Sequence, residues 1–386
     1  MKPSRIAAAI VGIASLLFGV TAAAQAAPFA YVPSPDGTVS QYDIGPGGLL
    51  APLVPPTVTT GPEAAAGGAA VSPDGKSAYV TLGVGVAQYD VGPSGALTLK
   101  SPATVAAGPS PLAVAVSPDG QSVYVTSSGG HTLAQYSVGT SGTLTPKNPA
   151  MVATDQGPFG VAVSPDGRSV YVANIASDTV SQFDVGSGGE LSPKSPPDLA
   201  AGESPIGVAV SPDGRSVYVA NAGGSVSQYD VSAGGALSPK SPATVAAGNP
   251  QGLAVSPDGA NVYVSDGAGD RVSQYDVGAG GRLSPKSPAT VATGRQPQGL
   301  GVSPDSTSVY VAISVNNEVA QYDVGPDGGL SPKTPATIAA GSFPRAVAVS
   351  PQPVPISRAQ CKHGGWHNFP RFKNQGQCIA FVNHHR

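Results

Sequence analysis

Apolar and polar positions along this chain fall into a block that repeats, and one copy shows its grammar. Gly207-Val208-Ala209-Val210 is a short apolar run that stops at Ser211-Pro212-Asp213-Gly214. Pro followed by Asp-Gly suits a tight turn, because Gly takes a positive φ without steric penalty. Ser216 to Ala220 is β-branched and aromatic, as strands favour. Asn221-Ala222-Gly223-Gly224 turns the chain, and Ser225 to Val231 alternates with the period of a third strand. After Gly234-Gly235, Leu237 to Val245 supplies a fourth strand interrupted by proline. Proline cannot donate to a sheet ladder, so this strand is predicted to be outermost. The first strand, built from Gly, Ala and Val, suits the crowded centre of a radial assembly.

The block recurs seven times. Tyr-Val begins at Tyr31, Tyr79, Tyr124, Tyr171, Tyr218, Tyr263 and Tyr310, and Gln-aromatic pairs end at Tyr42, Tyr89, Tyr136, Phe183, Tyr229, Tyr275 and Tyr322. Those two positions hold all 13 tyrosines, so a tyrosine here belongs to the repeat and not to a reaction. Four strands per unit of about 45 residues are the signature of a β-propeller. The termini favour a closed ring over an open stack. Tyr31-Val32 lacks the preceding apolar strand, and the last copy stops after Ala346-Val347-Ala348-Val349-Ser350-Pro351, which is that strand. A solenoid would need capping repeats instead. The expectation is an all-β, seven-bladed propeller of four antiparallel strands per blade, over residues 27–351. Its N- and C-terminal strands share blade seven, which hides the free edges.

Tyr-Val-Ala-Asn stands at 171–174 and 218–221, and Ser-Pro-Asp-Gly at 72–75, 117–120, 164–167, 211–214 and 256–259. In these motifs residues 28 to 351 resemble the YVTN-repeat β-propellers and the related seven-bladed lactonase-like propellers. The resemblance implies the architecture directly. It bears on activity less specifically, because one fold hosts many functions. Lactonase-like members include sugar-lactone hydrolases, whose sites lie at the channel mouth and use histidine, arginine and acidic groups. Here the repeats hold one histidine, His131, and the strand starts read Pro-x-Gly where such enzymes often show histidine.

Composition narrows the choice of partners. Removing seven bases in the leader and tail leaves 13 bases against 23 acids, so residues 27–351 carry −10. That excludes a basic groove for nucleic acid. Lys2 and Arg5, the apolar run Ile6 to Val20 and Ala24-Gln25-Ala26 read as a signal peptide over 1–26, with a secreted or cell-surface protein as the product. No transmembrane segment is expected after cleavage. A linker, 352–357, leads to a basic module, 358–386, which resembles a small C-terminal module of other secreted bacterial proteins. It holds Trp366 and both cysteines. Cys361 and Cys378 of an exported chain form a disulfide most simply; a metal site from Cys361, Cys378, His363 and His367 would need reduced thiols. The module's +5 suits an anionic extracellular surface, reached through Lys362, Trp366, Arg371 and Lys373, or the propeller's own acidic face.

Chemistry is expected where one blade departs from the others, since what recurs serves the fold. One variable position at the start of each innermost strand gives Gly67, Leu112, Phe159, Ile206, Gln251, Gln298 and Arg345. In a closed ring they circle one mouth of the channel and would bind a small amphipathic ligand. Blade-specific ionisable residues on the same face are Asp155, Glu203, Asp266, Asp270, Arg295 and His131. A lactonase needs a carboxylate or imidazole to activate water and a cation for the oxyanion. Glu203, Arg295 and then His131 are the catalytic candidates. No cofactor or metal motif is present, and a monomer is expected. Two functions remain open: a ligand- or surface-binding propeller, and an extracellular lactone-ring hydrolase.

Overall fold

The computed structural model describes residues 28–60, 67–351, 362 and 374–384. Strands fill residues 29–349 in seven four-stranded sheets, each antiparallel. Blades 1 to 6 occupy 69–106, 111–153, 158–200, 205–246, 250–292 and 297–339. Within blade 4 the order runs from innermost Pro205–Val210 through Ser216–Asn221 and Ser225–Val231 to outermost Leu237–Ala246. The proline-rich strand is therefore at the edge, as its chemistry requires.

Blade seven is made from both ends of the chain. Phe29–Ser34, Thr38–Ile44 and Leu50–Thr59 are its second, third and outermost strands, and Ala348–Val349 is its innermost. Ala30 faces Val349 and Tyr31 faces Ala348. The closing strand is two residues long where five other blades use six, but hydrogen bonds extend the clasp at both ends. Arg345 N–H donates to the Pro33 carbonyl at 3.1 Å, and Phe29 N–H donates to Ser350 Oγ at 2.8 Å.

The repeated residues hold neighbouring blades together. Each Tyr-Val tyrosine donates its hydroxyl to a glycine carbonyl in the next blade's outer turn, from Tyr31 on Gly95 to Tyr310 on Gly48, which closes the circle. The tyrosine of each Gln-Tyr pair reaches back to the preceding blade's outermost strand, as Tyr229 does to the Ala200 carbonyl at 2.7 Å. The glutamine spans the other direction: Gln228 donates to Pro242 of its own blade and accepts from Leu283 N–H of the next. Burial without a charged partner explains the phenol chemistry, pushing Tyr229 up to about 12. All 13 tyrosines are raised, chiefly by burial.

Phe183 is the one aromatic in this ring without a hydroxyl, and it is buried. Phe183→Tyr should add the missing bond to blade 2 and stabilise the protein by about 0.5–1.5 kcal/mol. Tyr229→Phe should lose a similar amount or more, because it leaves the Ala200 carbonyl without that donor. Urea unfolding of the two variants checks the pair, and a loss of stability in Phe183→Tyr would show that the site has no room for the oxygen.

On the lower face, where the Ser-Pro-Asp turns lie, outermost-strand lysines join the same scheme. Lys240 Nζ pairs with Asp230 and donates to the Gly280 carbonyl of the next blade at 2.7 Å. Lys100, Lys194, Lys286 and Lys333 repeat the arrangement with Asp90, Asp184, Asp276 and Asp323. Blade 2 has Ser137 opposite Lys147, and blade seven has Leu53 in place of the lysine.

Candidate functional site

The upper face is where the chain enters each innermost strand. Leu112, Phe159, Ile206, Gln251 and Gln298 are the second residues of five such strands, each after a proline, and Arg345 precedes the short strand of blade seven. Their carbonyls bind the preceding blade. Thr81, Thr126 and Ser265 hydroxyls donate to Leu112 (3.0 Å), Phe159 (2.8 Å) and Gln298 (2.5 Å), and Gly299 N–H donates to Arg345 (2.9 Å). Ile206 is buried; Leu112, Phe159, Gln251 and Gln298 are half-buried, and Arg345 is exposed.

The same convergence explains the Pro-x-Gly text. A Cβ on Gly160 would stand 2.6 Å from the Ile206 carbonyl oxygen, and one on Gly299 would stand 2.9 Å from that of Arg345. At Gly160 and Gly299 the adjacent backbone is too close for a Cβ, while blades 2 and 7 carry Ala113 and Ala346 at the same position. A histidine at Gly160 or Gly299 would require the neighbouring strand to shift.

Several of those loop residues turn out to be structural. His131 Nδ1 accepts the Gly157 N–H at 3.0 Å. Asp178 accepts from Ser204, Asp270 from Gln296 and Asn317 from Phe343, at 2.7–2.9 Å and the same offset of 26 residues. All four acceptors have φ between 48° and 59°. His131 and Asp270 thus fill a repeated position that pins the next blade's lead-in loop. The sequence signal was the shared offset, which composition alone does not reveal. Asp266 is also accounted for: it is 1% exposed, pairs with Arg271 at 2.8 Å and accepts N–H bonds from Asn249 and Gly269. Asp155 feels some desolvation, but bonds from Gln156 N–H, Thr179 and Ser177, with His131 nearby, hold its carboxyl below the usual range. Such a carboxylate is a weak base.

Glu203, Arg295 and Arg345 are exposed, and their charged groups have no hydrogen bond or ion pair among the described residues. Glu203 rests on Gly223, whose N–H donates to its carbonyl at 3.0 Å. Arg295 N–H donates to Asn316 Oδ1 at 2.9 Å. Glu203 precedes blade 4 and Arg295 blade 6, so one blade separates them and they form no ion pair. Arg295 and Arg345 instead precede adjacent blades, and Phe343, two residues before Arg345, is 55% exposed with its N–H donating to Asn317 Oδ1. Phe343 was not among the sequence candidates, nor was Asp198, which accepts from Ser181 at 2.5 Å in the blade 3 network around Asp155.

No group of three or more His, Cys, Asp or Glu suited to a metal ion occurs among the described residues, and no helix among them is long and apolar enough to cross a membrane. Residues 1–26, Cys361, His363, Trp366, His367, Arg371 and Lys373 lie outside the described residues. Cys378 is buried on the helix Gln375–His384, and Lys362 is exposed. A cleft of about 740 Å³ lies on the lower face between blades 4 and 5, lined by Asp213, Arg215, Asp230, Asp258 and Gly280 among others. Its turns recur in other blades, so it is a seam of the fold.

Residues 36–200 and 189–291 match the family described as lactonase, seven-bladed β-propeller. The chain belongs to this lactonase family. No curated protein matches it. Among solved structures, a 6-phosphogluconolactonase candidate from Bacteroides fragilis has TM-score 0.70 and 18% identity, covering 85% of this chain and 99% of that one. A periplasmic gluconolactonase from Pseudomonas aeruginosa has TM-score 0.67 and 18% identity, with 84% and 99% covered. A hydrazine synthase chain from Kuenenia stuttgartiensis has TM-score 0.58 and 19% identity, with 74% and 90% covered. At these identities the likeness is one of fold. The lactonase-family propeller is the scaffold, and the mouth of its upper face carries this chain's own residues.

Proposed function

We propose that this protein is a lactone-ring hydrolase that works outside the cytoplasm, with its site at the upper mouth of the channel. Family membership carries this reading over a purely ligand-binding role. Glu203 is the base: its carboxylate is free of other bonds and open to solvent. It takes a proton as water oxygen attacks the lactone carbonyl. Arg295 and Arg345, at the entries to adjacent blades, hold the negative charge that develops on the carbonyl oxygen. The ring C–O bond then breaks, the proton returns to the leaving alkoxide, and a hydroxy acid departs. Gln251 and Gln298 offer amides to substrate hydroxyls, and Phe343 offers an apolar face. The leader over 1–26 and the periplasmic P. aeruginosa neighbour support the location.

A panel of aldonolactones and simple lactones, followed by acid release from the purified mature protein, tests the reading. Turnover is expected above the spontaneous rate. Arg295→Ala and Arg345→Ala should each lower kcat by about 10²–10³-fold, and Glu203→Gln by about 10²–10⁴-fold. Saturable binding of a lactone without turnover would favour the ligand-binding role instead.

A further inference from the structure

Blade seven breaks the lysine pattern of the lower face at one point, and that point lies beside the place where the chain leaves the propeller. In five blades the aspartate ending the third strand is ion-paired. Asp43 is the counterpart in blade seven, where Leu53 replaces the lysine. Its carboxylate has no ion pair or hydrogen bond among the described residues. It is nevertheless half-buried, whereas Asp90, Asp184, Asp230, Asp276 and Asp323 are exposed. A partly covered carboxylate with no donor is unfavourable unless something supplies one.

Two further departures lie on the outermost strands of blade seven and of blade 1. Val54 is 92% exposed where the other blades carry Ser, Asn or Thr. Leu99, on the outermost strand of adjacent blade 1, replaces a proline found in the other six and is 37% exposed. Phe29 explains Leu53 itself, since the ring packs against Gly95 and fills the seam that serine and lysine occupy elsewhere. It does not explain Asp43 or Val54.

We propose that the basic segment 358–386 docks on this corner of blade seven, with its cations facing Asp43 and its apolar side chains covering Val54. The chain passes from the innermost strand of blade seven at Ser350-Pro351, and Ser350 N–H is bonded to the Phe29 carbonyl. Phe29 is the register partner of Asp43. Two strand spacings, roughly 10 Å, therefore separate the exit point from the carboxylate. The seven residues from Gln352 to Arg358 reach up to about 23 Å. The segment has five bases and no acid, and no other stretch of this acidic chain offers such complementarity. Docking and attachment to an external anionic polymer use the same charges, so the segment's site on its own propeller would limit the tethering that its charge suggests.

Trp366 is the only tryptophan, which makes its emission a direct report on the segment. In the oxidised mature protein, Leu53→Lys restores the lysine that six blades use and should displace the segment. Asp43→Asn removes the attraction without changing shape. Both should shift Trp366 emission to the red and lower its anisotropy. Salt at 1 M, where the Debye length is about 3 Å, should do the same to the unsubstituted protein. Emission and anisotropy that ignore both substitutions and salt would overturn the proposal. So would retention on cell-wall polymer that is lost on deleting 352–386 while Leu53→Lys leaves Trp366 unmoved, the result expected of a tether. Neither readout depends on the hydrolase reading, since Asp43 and Leu53 lie on the opposite face from the channel mouth.

Discussion

Deleting residues 345–386 should open the ring, while deleting 352–386 should leave it closed. The first truncation removes Ala348–Val349, the only strand that covers the inner edge of Phe29–Ser34. It removes Val347, buried in the cluster with Ala30, Val32 and Tyr310, worth about 1.5–3 kcal/mol. It also removes the hydrogen bonds of Arg345 to Pro33 and of Ser350 to Phe29, each worth about 0.5–1.5 kcal/mol. Against a total stability of about 5–15 kcal/mol, that is a large share. The inner edge of Phe29–Ser34 would then be left unpaired, inviting association between chains. The melting midpoint should fall by more than about 10 °C, with aggregates in size-exclusion chromatography. The shorter truncation should cost no more than the few degrees that a docked tail contributes. Equal midpoints for both would show that the ring does not depend on the shared blade.

The architecture was legible because it is written seven times. A turn such as Ser211-Pro212-Asp213-Gly214 is ambiguous once, but its recurrence fixes strand lengths, and the missing strand at Tyr31 fixes closure. The site was less legible for the same reason. A blade-specific residue looks functional in a repeat, yet His131 differs in identity while doing what Asp178, Asp270 and Asn317 do. Its role depends on a hydrogen bond to the next blade, across 26 residues. Asp266 likewise read as a free acid until the fold brought Arg271 and two N–H groups to it. Adjacency also escaped the sequence. Glu203 and Arg295 are attractive as a pair on chemistry alone, but the ring puts a whole blade between them, while Arg345 enters the blade next to that of Arg295. The Pro-x-Gly starts were visible as text, and only the approach of neighbouring backbones shows why Gly160 and Gly299 carry no side chain.

Removing either partner of the Lys240–Asp230 pair should destabilise the protein, but by unequal amounts. The lysine side chain is 2% exposed and the aspartate 59%. Asp230→Ala leaves an ammonium inside the seam between blades 4 and 5 with only the Gly280 carbonyl to satisfy it. Breaking a buried pair in this way costs about 3–5 kcal/mol, and access of water to the aspartate's position brings the value to the low end. Lys240→Met keeps most of the apolar stem and leaves Asp230 free to be hydrated. It loses one bond to Gly280, about 1 kcal/mol. The double variant should therefore resemble Lys240→Met and not the sum of the two, because the buried charge is gone in both. Blade 2 supplies the intermediate case: Lys147 is buried opposite Ser137 and bonds to it at 3.0 Å, so Asp230→Ser should cost less than Asp230→Ala. Urea unfolding of the four variants at one pH checks the order. If Lys240→Met is the more damaging single change, the lysine stabilises the seam through its charge, and the desolvation argument for these buried cations fails.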